Sequence, residues 1–182
     1  GLLWSIDSLI LMNYVGGTTV FQFKTLSDQI SIMSPQSVVE LNGRYYWPGL
    51  DRFQMFDGVV RDIPNQYSAN YFYDGFNYAQ RMKCWTMKIP RYGEVWFFYP
   101  KGSGATECSD AVIYNTLSGD WYDAGQADGA IRSAGYPLQD IRYPVMSSTA
   151  SAATIYAHEL GTDYINAGAY TAIPSYIESP VI

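Results

Sequence analysis

The string His158-Glu159-Leu160-Gly161-Thr162 comes closest to metal chemistry in this sequence. A helical zinc site needs His-Glu-x-x-His, because two imidazoles one turn apart then hold the ion. Position 162 is Thr, and His158 is the single histidine of the chain. The motif is broken, so His158 reads as a structural or interface residue. A Ser-His-Asp triad would need that same imidazole, and the sequence has no Gly-x-Ser-x-Gly elbow. Pro100-Lys101-Gly102-Ser103-Gly104 looks like half of a phosphate loop but lacks the Gly-Lys-Ser/Thr ending, so it reads as a hairpin loop. Asp120 and Asp123 read as turn residues. The sequence thus predicts no catalytic residue, no cofactor site and no metal site.

The elements that would position any chemistry are aromatic strands. Gly93-Glu-Val-Trp-Phe-Phe-Tyr-Pro-Lys-Gly is followed by Ala111-Val-Ile-Tyr-Asn-Thr-Leu-Ser-Gly-Asp-Trp-Tyr: strand, loop, strand, tight turn, closing tryptophan. A looser copy precedes it at Arg44-Tyr-Tyr-Trp-Pro-Gly, Phe53-Gln-Met-Phe and Asp57-Gly58. A third follows at Ala153-Thr-Ile-Tyr-Ala-His-Glu-Leu and Gly161-Thr-Asp. Repetition at about fifty to sixty residues is the grammar of a stacked or radial all-β protein.

The 182 residues suffice for one domain with a substantial core. Aromatics make up 16% and charged residues only 15%, against about 25% in typical domains. A Tyr-rich, poorly charged surface suits burial against a partner. The net charge of −6 and the scattered bases argue against a dedicated nucleic-acid binder. They suit a wall past which nucleic acid slides, or simple solubility. Cys84 and Cys108 are too few for a disulfide framework and read as free thiols in a protein assembled in a reducing cytoplasm, although they could meet across a pair of strands. No apolar segment approaches the length of a membrane span. The chain opens inside a strand-like run and stops in Ser175-Tyr-Ile-Glu-Ser-Pro-Val-Ile, so it reads as an internal piece of a longer protein.

Along the chain, strands are expected over 2–14, 18–26, 37–41, 44–47, 53–56, 59–63, 84–89, 95–99, 110–115, 120–122 and 155–158. Asn42-Gly43 and Asp57-Gly58 are hairpin turns. Pro64 with Tyr67, Tyr71 and Phe72 predicts a short helix over 64–73, stopped by Gly75, with a second helical turn over 76–82. Residues 147–153 read as a loop or plain strand edge. Trp47, Trp96, Phe98, Tyr114 and Trp121 are the expected core. The expected fold is all-β: propeller-like blades of antiparallel strands over 1–63, 82–125 and 126–182, with a helical insert over 64–80.

The order of these pieces carries a resemblance. Val38-Val-Glu-Leu-Asn-Gly-Arg-Tyr-Tyr-Trp, Phe53-Gln-Met-Phe-Asp-Gly, Gly93-Glu-Val-Trp-Phe-Phe-Tyr-Pro, Val112-Ile-Tyr-Asn-Thr-Leu-Ser-Gly-Asp-Trp, Tyr156-Ala-His-Glu-Leu-Gly-Thr-Asp and Ser175-Tyr-Ile-Glu-Ser-Pro follow one another. Over residues 30–182 this resembles the β-propeller tail nozzle and packaged-DNA stabilisation (head-completion) proteins of short-tailed bacteriophages. The resemblance implies a virion protein, part of a hexameric tube below the portal and its adaptor. Such a tube retains the packaged DNA and conducts it during ejection, with weak non-specific DNA contact and no catalytic residues. Two other readings are a carbohydrate-binding or sialidase-like propeller and a phage receptor-binding tail protein. Ser118-Gly119-Asp120-Trp121 resembles a sialidase aspartate box whose next glycine is replaced by Tyr122. A sialidase would also need converging arginines, but Arg44, Arg52, Arg61, Arg81, Arg91, Arg132 and Arg142 sit in no recognisable motif.

Overall fold

Asn42 and Gly43 adopt positive φ, 54° and 78°, which a two-residue hairpin turn requires of both central positions. They fold β4 (Val39–Leu41) back onto β5 (Arg44–Pro48), which continues into β6 (Phe53–Phe56) and β7 (Val60–Asp62). The same antiparallel meander recurs along the chain in a computed structural model that describes residues 1–65, 69–124, 131–137, 143–149, 154–158, 160–166 and 169–172. The first sheet is β1 (Leu2–Trp4), β2 (Leu9–Tyr14) and β3 (Phe21–Ser27), and β4 to β7 make the second. The third is β8 (Trp85–Ile89), β9 (Glu94–Tyr99), β10 (Asp110–Asn115) and β11 (Trp121–Asp123). The fourth is β12 (Arg132–Tyr136), β13 (Val145–Ser148) and β14 (Ile155–Ala157), followed by a hairpin of β15 (Asp163–Asn166) and β16 (Ala169–Ala172). Among the described residues strands account for 48% and helices for 8%, an all-β composition.

Side chains alternate across each strand, so a central strand serves two interfaces. On β5, Tyr45 and Trp47 meet Leu2, Trp4 and Leu9 of the first sheet, whereas Tyr46 points to the third sheet. On β9, Val95, Phe97 and Tyr99 meet the second sheet with Leu41, Tyr46 and Phe53. Trp96 and Phe98 point the other way, to Met146 of the fourth sheet, beside Trp85 and Met87 of β8. The four sheets therefore stack face to face in chain order. The first strands of three of them lie together. Thr86 of β8 donates through Oγ1 to Ser37 O at 2.8 Å and Lys88 pairs with Glu40 of β4 at 2.9 Å. Trp85 Nε1 donates to Arg132 O of β12 at 3.0 Å. Gly135 makes that last approach possible. A Cβ there would lie 2.8 Å from both Met146 Cγ and Met87 Sδ and 3.1 Å from Trp85 Cη2.

Several expectations shift. The strand expected over 2–14 is two strands, because Ser5 Oγ bonds Asp7 Oδ1 at 2.7 Å and Ser5 N donates to Ser8 O at 2.8 Å, which closes a turn. Residues 1–63 hold two sheets. The helix, α1, spans Ala69–Gly75 and does not begin at Pro64. Ile63 N still bonds Phe53 O at 2.8 Å, and Pro64 O accepts from Trp121 Nε1 at 2.9 Å, so the chain there belongs to the sheets. Tyr67 lies outside the described residues. The second helical turn is a 3₁₀ segment over Tyr78–Lys83, capped by Asn77. Val145–Ser148 is the central strand of the fourth sheet, so residues 147 and 148 are not a loop or edge: the backbone pairs with β12 on one side and β14 on the other. Strands β12, β15 and β16 were not expected, and residues 150–153 and 173–182 lie outside the described residues. Trp47, Trp96 and Phe98 are buried, whereas Tyr114 and Trp121 are half-buried against the core between the second and third sheets.

Candidate functional site

His158 sits where the fourth sheet meets the third. Its Nε2 accepts a hydrogen bond from Nε of the buried Arg132 at 2.8 Å. That bond assigns the neutral tautomer protonated on Nδ1. Burial, and then the Arg132 guanidinium, push the imidazole down to about 4. The guanidinium also lies 4.0 Å from the centre of the Tyr156 ring, and the Trp96 ring stands edge-on to the imidazole at 6.3 Å. A general base needs a lone pair free to take a proton. The accepting lone pair of His158 is held by a cation, so this cluster ties the fourth sheet to the third.

A second polar cluster holds α1 to the third sheet. Asp110 is 1% exposed and accepts from Lys101 Nζ at 3.0 Å, from Tyr71 OH at 3.2 Å and from the Ala111 amide at 2.8 Å. Lys101 Nζ also rests 3.3 Å from the centre of the Tyr71 ring. Burial pulls the Lys101 ammonium down, but its bonds to Tyr71 and Asp110 outweigh that and hold it above the usual lysine range. Burial pushes the Tyr71 phenol up. Gly102 N donates to Gly75 O at 2.7 Å and Asn77 N to Pro100 O at 2.9 Å. The Pro100–Gly104 segment thus clasps the helix, and its backbone amides are not arranged around an anion.

The remaining candidates do not converge. Arg52 pairs with Asp51 at 2.8 Å and Asp62 at 3.3 Å, and Arg61 reaches Asp57 at 3.5 Å. Arg81 donates to Met33 O at 3.4 Å, and Arg91 lies 5.3 Å from the centre of the Tyr92 ring. Arg44 is exposed at the start of β5. Arg142 lies outside the described residues. Asp120 closes its turn through backbone bonds to Asn115 and Ser118, and Asp123 ends β11. Cys84 and Cys108 are free, buried thiols that lie near each other, because Cys108 Sγ donates to the carbonyl of Lys83, next to Cys84, at 3.1 Å. Among the described residues no group of three or more His, Cys, Asp or Glu is placed to hold a metal. A shallow polar groove of about 270 Å³ runs past Asp28, Ser31, Asp51, Arg52 and Gln54. No helix among the described residues is long and apolar enough to cross a membrane.

The least expected surface is apolar. On the first sheet, Leu3, Ile10, Met12, Tyr14, Phe21 and Phe23 share the face turned away from the second sheet. Tyr14, Phe21 and Phe23 are 74%, 45% and 59% exposed. No protein-family model matches this chain, and no curated protein sequence matches it. On the fourth sheet, Ala134, Tyr136, Val145, Ser147, Ile155 and Ala157 share the face turned away from the third. Tyr136 and Ile155 are 67% and 71% exposed there. The alternation of both stretches is legible in sequence, but period two does not say which side is covered.

Proposed function

We propose that this chain is a structural module of a bacteriophage tail nozzle, forming part of the wall through which packaged DNA is retained and then ejected. The observation that carries the reading is the face-to-face stack of four antiparallel sheets in chain order. The strands β4, β8 and β12, each the first of its sheet, adjoin one another. That is how an arc of propeller blades is built, with first strands at the axis and sheets fanning outward. The collinear motifs from Val38 to the Ser175 segment support the same reading. So do the low charge content and the net charge of −6. A phosphate backbone that meets many Lys and Arg is gripped, and its affinity falls steeply with salt. A conducting wall needs little grip. Here Lys83, Lys88, Lys101, Arg52 and Arg61 are each engaged by a carboxylate of the same chain.

In this reading the protein works in the virion as a hexameric ring against the portal adaptor and other tail proteins, and it is not an enzyme. On the first-sheet face the Tyr14 and Phe21 rings meet at 69°, which is no flat platform for a sugar ring. Two assays test the proposal. In a gel shift at physiological salt the protein should bind duplex DNA weakly and without sequence preference. Negative-stain images of the particle that carries it should show a sixfold ring at one capsid vertex. Tight sequence-specific binding, or a soluble monomer that hydrolyses glycosides, would overturn it.

A further inference from the structure

The second and third sheets share one end made of turns. Their first strands, β4 and β8, run side by side in the same direction, with Thr86 at Ser37 and Lys88 at Glu40. The turns that follow them, Asn42-Gly43 and Pro90–Gly93, are therefore neighbours. The Asp57-Gly58 and Thr116–Gly119 turns of the same two meanders return to that end. It carries four acids, Glu40, Asp57, Glu94 and Asp120, and four bases. Two of the bases are committed, Lys88 to Glu40 at 2.9 Å and Arg61 to Asp57 at 3.5 Å. The other two, Arg44 and Arg91, are exposed and form no ion pair among the described residues.

At the opposite end of these two sheets and their helical segments, every base is engaged. Arg52 pairs with Asp51 and Asp62, Lys83 with Glu107 and Lys101 with Asp110, and Arg81 donates to Met33 O. Asp74 and Asp123 add further negative charge there. The two uncommitted guanidiniums thus stand at the end where charge is balanced. Arg44 shares the face of Tyr46, whose ring meets Tyr114 of β10 at 6.1 Å, so it stands at the seam of the two sheets. Arg91 lies 5.3 Å from the centre of the Tyr92 ring, a stacking that orders its plane and leaves its N–H edges open. The dipeptide Arg-Tyr also recurs in the sequence at 142–143, where Arg142 lies outside the described residues.

We propose that Arg44 and Arg91 together form a contact for the phosphate backbone of duplex DNA. A guanidinium fork matches two oxygens of one phosphate. Packed sheets lie about 10 Å apart, and a duplex presents one phosphate charge per roughly 1.7 Å of its axis, so a single duplex meets both side chains. A polyanion approaches the balanced end and is repelled from the acidic one. The contact reads no base sequence, because phosphates carry none. It names where DNA touches the wall and rests on the tube reading. Two contacts per copy hold lightly. Log affinity falls with log salt by about 0.9 per phosphate contact, so between 50 and 200 mM salt the native affinity should fall about twelvefold.

NMR titration of the full 182-residue chain with a mixed-sequence duplex at low salt tests this. Amide shifts should concentrate in Asn42–Tyr45 and Arg91–Glu94. Arg44→Gln and Arg91→Gln should each reduce the fall over the same salt range to about 3.5-fold, as one contact predicts. The double variant should lose the shifts. Arg52→Gln removes the same charge at the opposite end and should behave like the native chain. The same spectra check that the variants fold, and where one does not, the shift map and salt dependence of the native chain decide alone. Inorganic phosphate at equal phosphate concentration should move these amides far less, because it meets one guanidinium at a time. Equal shifts would make this a free-anion site and overturn the duplex assignment. Shifts that fall elsewhere, a single variant with the native salt dependence, or an Arg52→Gln variant that loses as much would also overturn the proposal. Weak, sequence-independent binding that maps elsewhere removes this contact and leaves the tube reading. Tight sequence-specific binding removes the tube reading itself.

Discussion

The third and first sheets are built from the same kind of sequence, alternating aromatic strands, and have opposite fates. In the third, both faces of β9 are covered, and Val95, Trp96, Phe97, Phe98 and Tyr99 are all buried. In the first, one face packs on Trp47 and Tyr45 while the other leaves Phe21 and Phe23 in solvent. A sheet's own residues set how much apolar area it offers, and its neighbours decide how much of that area stabilises the fold. The difference marks the third sheet as the keystone of the residues described.

The largest way to break this contrast is in the keystone. Phe98 stacks on Trp85 at 4.2 Å with an interplanar angle of 3° and is fully buried. Phe98→Ala should cost about 3–5 kcal/mol, read from urea midpoints, and should lower soluble yield sharply. A loss below about 1 kcal/mol would mean that the third sheet does not hold the stack.

Next in size is the pH response of the junction between the third and fourth sheets. His158 is held down to about 4 by burial and by Arg132, against an ordinary value of 6.5. In the window between those values the unfolded chain binds a proton that the folded chain does not. The stabilisation is complete above pH 6.5 and is lost as pH falls toward 4, by at most about 3 kcal/mol. His158→Gln keeps an acceptor for Arg132 and removes the titration. Its stability should therefore fall less than that of the native chain between neutral pH and pH 4.5. Parallel curves for the two proteins would refute the assignment.

Smaller again is Gly135→Ala, which pushes a methyl into Met146, Met87 and Trp85 where the fourth sheet presses on the third. Overpacking of this kind costs about 1–3 kcal/mol. Proteolysis should then release the fourth sheet before the second and third. The smallest effect belongs to the free end. Phe23→Ala removes an aromatic that is 59% exposed and should change stability by no more than about 0.5 kcal/mol in dilute solution.

The third sheet was legible in the sequence nearly to the residue, because Val95–Tyr99 and Asp110–Asn115 are long, apolar and bounded by turns. The Asn42-Gly43 hairpin was legible for a backbone reason, since few other pairs accept two positive φ values. Of the fourth sheet only β14 was legible, at the strand expected over 155–158. Arg132–Tyr136 is short and carries a Gly and a Ser, and its strand character comes from pairing with β13, a tertiary cause. The late start of α1 was hidden likewise, because the sheets claim Ile63 and Pro64 first. The sequence singled out His158, but its partner Arg132 could not be paired with it across 26 residues. The two end faces carried a visible alternation whose direction depended on neighbours the pattern does not name.

Amide hydrogen exchange tests the central contrast most directly. In dilute solution the amides of Glu94–Tyr99 and Asp110–Asn115 should exchange only through global unfolding, while those of Phe21–Ser27 exchange through local opening. Uniform protection across the first and third sheets would contradict the account.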